Sequence, residues 1–177
     1  YYDFNLGKET LLTDGKTRNS IGGWSNNGKL FAFSSNKENG VDMNIFISDL
    51  KGNEKQLFSE KGSWSAIDWS VDDKRILVRR YISINESYMH FVNIEDGKMN
   101  QFNQSKDKIS YGSGKFSKDG NGLYYTSDES TEFRHLRYYD FKSKKHSIIT
   151  KNIKWDVRGF TISENGKYIA LVTNEDA

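Results

Sequence analysis

Three histidines, a serine in a glycine-rich run and a set of acidic residues are the groups in this sequence that could do chemistry. His90, His135 and His146 are of the type that serves as a base or a metal ligand. None has a Cys or His partner at metal-ligand spacing, so a structural role is the simpler reading. His90 and His135 read as occupying the same place in successive repeats, which favours that role. Tyr111-Gly112-Ser113-Gly114 resembles a nucleophile elbow, but the G-x-S-x-G pattern is missing and the run opens a strand. Asp119-Gly120-Asn121-Gly122 offers oxygens to calcium, yet it departs from the EF-hand spacing and reads as a turn. The sequence thus assigns no catalytic residue, no metal site and no cofactor to this chain.

The acidic residues are Glu38, Asp42, Glu86, Glu129 and Glu132, all in segments that read as loops. As solvated loop tips they need no further explanation. The sharper alternative is that Glu86 and Glu132 recognise a cationic group such as a peptide amino terminus. Arg79-Arg80 and the lysines from Lys142 to Lys145 read as solvated basic surface.

These residues are positioned by a repeat. Phe116-Ser117-Lys118-Asp119-Gly120 leads into the apolar run Leu123-Tyr124-Tyr125-Thr126-Ser127. The same sentence begins at Trp24, Trp69 and Ile162, so successive units start 45, 47 and 46 residues apart. That period, with strand-turn-strand content, signals propeller blades. Hairpins with Gly, Asn, Asp or Ser in the turn supply the other two strands of each unit: 45–58, 91–102 and 136–150. The opening hairpin pairs 1–6 with 9–13 across Gly7-Lys8.

The expected fold is all-β: a β-propeller of four-stranded antiparallel blades, in a single segment spanning 1–177. Full blades fall near 20–58, 65–102 and 112–150, with half blades at 1–13 and 157–173. In the second blade the strands, termed a to d, are expected at 65–69, 75–81, 88–94 and 98–102. Strands b and c carry unbroken apolar runs, as expected where a sheet is covered on both faces. Either the terminal halves pair and close a four-bladed ring, or the chain is an arc of a larger ring; a bare edge strand favours the second. Trp24 and Trp69 are expected to pack between blades, and Trp64 and Trp155 in the core or beside the channel. The face carrying the b–c loops at 36–42, 83–87 and 127–133 is expected to be longer and more polar than the face of tight a–b turns, and the better place for function.

Composition bounds the partners. A net charge of +2 gives no electrostatic reason to expect nucleic acid or a membrane, and no apolar run approaches a membrane span. The 177 residues contain no Cys, which fits a reducing, cytoplasmic location, and no Pro, which leaves the turns to Gly, Asn, Asp and Ser.

The repeat resembles the blades shared by TolB-type propellers and the prolyl oligopeptidase family. Three further stretches narrow the resemblance: Arg80 to Tyr88, Tyr125 to Leu136, and Trp155-Asp156-Val157 with Asn174-Glu175-Asp176. Together they look like the propeller of acylaminoacyl-peptidase or dipeptidyl-peptidase-like serine peptidases. The resemblance implies a non-catalytic propeller that gates and selects peptide substrates for an α/β-hydrolase domain, its partner, in the same polypeptide. It also implies substrate-binding roles for Glu86, Glu132 and Arg134. The sequence departs from the family in two ways: it has no hydrolase half, and it nowhere has the adjacent Glu-Glu pair that some dipeptidyl-peptidase members use for the peptide amine. A free-standing TolB-like propeller that binds another protein is the alternative.

Overall fold

The computed structural model describes residues 1–105 and 107–175. Every regular element among them is a strand. Three antiparallel four-stranded sheets follow one another along the chain, each in sequential order. The first holds β3 (Asn19–Trp24), β4 (Phe31–Ser35), β5 (Asn44–Ser48) and β6 (Glu54–Gln56). The second holds β7 (Ser63–Trp69), β8 (Arg75–Ser83), β9 (Glu86–Asn93) and β10 (Met99–Gln101). The third holds β11 (Tyr111–Phe116), β12 (Gly122–Ser127), β13 (His135–Asp140) and β14 (His146–Ile148). Two-stranded sheets flank them: β1 (Tyr2–Asp3) with β2 (Lys8–Glu9), and β15 (Val157–Ile162) with β16 (Ile169–Thr173). The flanking pairs remain separate sheets, so the molecule is an arc of propeller blades rather than a closed four-bladed ring.

The repeated sentence has a physical cause. In each repeat the first-position serine (Ser25, Ser70, Ser117, Ser163) donates its hydroxyl to the Asp or Asn two residues on, at 2.6–3.0 Å. The same hydroxyl accepts the N–H five residues on, at 2.9–3.0 Å. The backbone adds a bond from the fourth-position N–H (Gly28, Asp73, Gly120, Gly166) to the serine carbonyl. Ser-x-Asp/Asn is therefore a side-chain-closed turn that holds strands a and b in register. Its fourth residue has φ between 56° and 73° in all four repeats, which explains three glycines there.

Each inner strand also carries an irregularity in its pairing with strand b. The register shifts between Ile21 and Gly23, Ala66 and Asp68, Tyr111 and Gly114, and Val157 and Gly159. Such bulges re-aim side chains and increase twist, and here they bend the strands that line the centre of the arc. The inner strands β3, β7, β11 and β15 contact one another in that order.

The cores lie between blades. Ala32, Ile45 and Ile47 of the first sheet meet Trp64, Trp69, Ile76, Val78 and Val92 of the second. Leu77 and Met89, on the other face of the second sheet, meet Tyr111, Phe116, Leu123 and Tyr125 of the third. Strand β8 thus sends Ile76 and Val78 one way and Leu77 the other, with apolar cover on both sides, which accounts for its unbroken apolar run. Trp69 joins the first interface and its indole N–H donates to the Gly23 carbonyl at 3.1 Å.

Four local expectations need correction. The opening hairpin turns at residues 4–7, because the Asp3 carboxylate captures the N–H groups of Asn5 and Leu6 and ends the strand early. The second b–c connection is no long loop: Ser83 pairs with Glu86 across a two-residue turn. Trp24 is half-exposed (49%) at the centre of the arc rather than packed between blades. His135 is not the counterpart of His90. It pairs with Ser127, whose counterpart Arg80 pairs with Tyr88, while His90 corresponds to Arg137.

Candidate functional site

The b–c connections and the segments entering each inner strand form one face, and hydrogen bonds tie the blades together there. Met43 donates its N–H to the Gly62 carbonyl and accepts from the Trp64 N–H. Ser87 donates its N–H to the Ile109 carbonyl and shares its hydroxyl with the Tyr111 backbone, donating to the carbonyl and accepting from the N–H, both at 2.8 Å. Arg134 accepts the Val157 N–H on its carbonyl and gives its own N–H to Asp156 Oδ1 at 2.7 Å. The third strand of each blade thus latches the first strand of the next.

Most of the acidic rim is committed to these connections. Glu38 accepts from Ser59, Gln56 and Asn44, and those bonds hold its carboxyl below the usual range. Asp42 accepts from the Gly62 N–H and from Asn39, and is lowered for the same reason. Glu129 accepts from Asn103 Nδ2 at 2.7 Å and faces Arg137 at 4.0 Å. Arg137, a residue the sequence did not flag, is buried and donates to the Ser127 and Glu129 carbonyls and to the Thr131 hydroxyl, so it shapes the whole 128–134 connection.

The three residues expected to bind substrate have different surroundings. Glu86 accepts from the Tyr88 hydroxyl at 2.8 Å and lies 3.7 Å from Lys108 Nζ. Arg134 donates from Nη2 to Ser110 Oγ at 2.7 Å, and Ser110 Oγ in turn donates to the Ile84 carbonyl at 3.1 Å. Glu86 and Arg134 are therefore both tied to the 108–110 segment. Glu132 is exposed on the neighbouring connection. Arg79 and Arg80, read from sequence as solvated surface, are half-buried. They alternate along β8: Arg79 reaches the Gly112 carbonyl in the third blade at 3.0 Å, whereas Arg80 lies over Trp64 at 5.5 Å.

Each histidine is engaged by neighbouring side chains. His90 packs edge-on against Trp64 at 5.1 Å, and burial, helped by Arg80, pulls its pKa down to about 4. His135 is buried with Nδ1 3.3 Å from the Thr150 hydroxyl. His146 stacks on Tyr139 at 4.4 Å and shares a 2.7 Å hydrogen bond with the Tyr125 hydroxyl. Asp119 closes its own turn through Ser117 and Asn121. Trp64 is core, and Trp155 packs against Phe133 at 6.3 Å. Asn174 and Glu175 lie just beyond β16, whereas Asp176 lies outside the described residues.

On the opposite face, the a–b turns ring a cavity of ≈ 220 Å³ bordered by Trp24, Asp68, Val71, Lys115, Lys118 and Glu164. Asp68 sits at the bulge of β7. Its Oδ2 accepts the Phe116 N–H at 2.8 Å and its Oδ1 faces Lys115 Nζ at 3.3 Å. Burial raises its pKa in spite of Lys115. The sequence signal for Asp68 was only that it precedes Trp69 in the repeat.

No protein-family model and no curated protein matches the chain. Solved structures do. TolB from Acinetobacter baumannii superposes with a TM-score of 0.77 at 20% identity, over 96% of this chain and 41% of that one. A putative TolB from Agrobacterium tumefaciens gives 0.73 at 18% identity, over 88% and 54%. A prolyl endopeptidase gives 0.61 at 18% identity, over 89% of this chain and 26% of that one. The chain therefore spans from about a quarter to about half of the length of these structures. At such identities the likeness establishes the fold: this is a segment of a TolB-like β-propeller.

Proposed function

We propose that this propeller segment gates and selects peptide substrates for a serine peptidase of the prolyl oligopeptidase family, with catalysis supplied by an α/β-hydrolase domain as its partner. The observation that carries the reading is a convergence. The stretches 80–88, 125–136 and 155–157, which bear the resemblance to that family, meet on a single face through the bonds of Ser110 with Ile84 and Arg134 and of Arg134 with Asp156 and Val157. Glu86, Glu132 and Arg134 lie on that face, and the structural likeness to a prolyl endopeptidase supports the assignment.

The test is complementation. Mixing this chain with the separately expressed hydrolase half should restore peptide cleavage; stable association without any gain in rate would overturn the proposal. In the intact enzyme, Glu86→Gln and Glu132→Gln should alter the discrimination between free-amine and acylated peptides. Unchanged kinetics on both would leave these glutamates as solvated or structural charges.

A second reading is favoured by the greater likeness to TolB structures: a free-standing propeller that binds another protein. It predicts retention of a protein partner and no effect on a peptidase half.

A further inference from the structure

The second and third blades each aim one arginine at Gly112. Arg79, from β8, donates Nη1 to its carbonyl at 3.0 Å. Arg134, entering β13, lies close by: a Cβ built on Gly112 would sit 3.3 Å from Arg134 Cδ and 3.5 Å from its Nη1. The two guanidinium groups share one small region between blades, both half-buried. Among the described residues neither has a carboxylate within 4.0 Å. The nearby acids are spent on backbone: Asp156 Oδ1 accepts the Arg134 N–H and Asp128 Oδ1 accepts the Ser110 N–H. The Nε atoms of Arg79 and Arg134 are both buried without a hydrogen-bond partner. Burial and the neighbouring Arg134 charge both disfavour the charged form of Arg79.

Two like charges held together in a half-buried region, each with its Nε unpartnered, are costly unless an anion joins them. Arg79 borders an open cavity of ≈ 370 Å³ at the centre of the arc, to which all four inner strands contribute. Its other walls include Ile21, Ala66, Ile67 and Phe160, with Gly112, Ser113 and Lys115 of β11. A planar carboxylate matches the fork of a guanidinium, and the adjoining apolar wall suits the side chain beside that carboxylate.

We propose that Arg79 at the channel wall, with Arg134 beside it at Gly112, forms a carboxylate-binding site, and that its ligand is the free C-terminal carboxylate of a short peptide ending in an apolar residue. The inference rests on the peptide-selecting reading only in taking the ligand to be a peptide. It is tested on the 177-residue chain without any hydrolase half, so its failure and the failure of complementation are separate results.

The experiment is calorimetric titration of the chain with Ala-Ala-Phe as the free acid and as the C-terminal amide. The acid should bind at least about tenfold more tightly, as expected for charge-assisted paired bonds. Arg79→Gln and Arg134→Gln should each abolish that preference, and Arg79→Lys should keep part of it. Acetate should compete with the acid better than inorganic phosphate does. Equal affinity of acid and amide for the unmodified chain would overturn the proposal, as would a preference surviving in a folded variant carrying both Gln substitutions. Stronger competition by phosphate would replace the carboxylate with a phosphate ligand. Near-UV circular dichroism reports whether the variants fold; the acid–amide comparison and the competition need no variant.

Discussion

Asp73 receives two hydrogen bonds from Asn26 on a single carboxylate oxygen, from the backbone N–H at 2.6 Å and from Nδ2 at 2.8 Å. Its other oxygen accepts the Asn27 N–H at 3.0 Å, and Asn26 Nδ2 also reaches the Ser70 carbonyl. One carboxylate therefore bolts the a–b turn of the first blade to that of the second. It does so from the position where the other three repeats have glycine, holding φ at 56°. The expected consequence is an ordering of variants. Asp73→Ala should lose about 1.5–3 kcal/mol of stability, the range for hydrogen bonds to a charged group. Asp73→Gly should lose roughly 1–2 kcal/mol less, because left-handed backbone costs glycine nothing. Urea unfolding midpoints give the comparison, and a Gly variant less stable than the Ala variant would refute the strain at this turn.

Gly120 occupies the same turn position in the third blade, with φ of 73° and nothing closer to an added Cβ than Val71 at 3.9 Å. The obstacle to a side chain is therefore the backbone alone. Gly120→Val should cost about 1–3 kcal/mol, read as a lowered melting temperature. An unchanged melting temperature would rule out the left-handed turn.

Gly97 combines both obstacles. Its φ is 71°, and an added Cβ would fall 2.1 Å from the Leu57 carbonyl oxygen of the preceding blade. Gly97→Ala should accordingly destabilise more than Gly120→Ala, although both create the same residue in the same backbone region. Equal losses in thermal unfolding would show that the 97 turn stands clear of the first blade.

The buried His90 predicts a pH dependence. Its pKa is depressed to about 4 in the folded chain, below the ordinary histidine value of 6.5. Between those values the unfolded chain binds the extra proton and the folded chain does not, so stability falls as pH is lowered from about 6.5 towards 4. His90→Phe keeps an aromatic ring beside Trp64 and removes the titration. The drop in urea midpoint between pH 7 and pH 5 should be smaller in that variant than in the parent; an identical drop would place the proton uptake elsewhere.

The Ser-x-Asp/Asn-Gly sentence made the blades readable, because that turn is closed by its own side chains and needs no distant partner. The apolar runs of β8 and β12 were readable for a related reason: cover on both faces removes the alternation that a one-sided sheet would show. The site was less legible. Arg79 and Arg80 are adjacent in sequence and looked like surface charge, yet strand alternation sends them to different interfaces. Arg137 and Asp68 act across connections or between blades, and local pattern carries no record of such pairings. The equivalence drawn between His90 and His135 failed by two residues because strands b and c of these two blades are both offset by 47 residues, which sets His135 against Tyr88 and His90 against Arg137. Asp73 did leave a trace, as the one non-glycine at its repeat position.

The latches between blades also fix how the molecule comes apart. Each blade is fastened mainly to its immediate neighbours in sequence, so opening is a chain of adjacent events rather than a single collapse. The β1–β2 pair is held by two short strands and leaves Phe4 and Leu6 in solvent, whereas β8 and β9 are gripped from both sides. Amide protons should thus exchange fastest at the outermost pairs and slowest in the second blade, a gradient of fraying running from the two flanks of the arc to its middle.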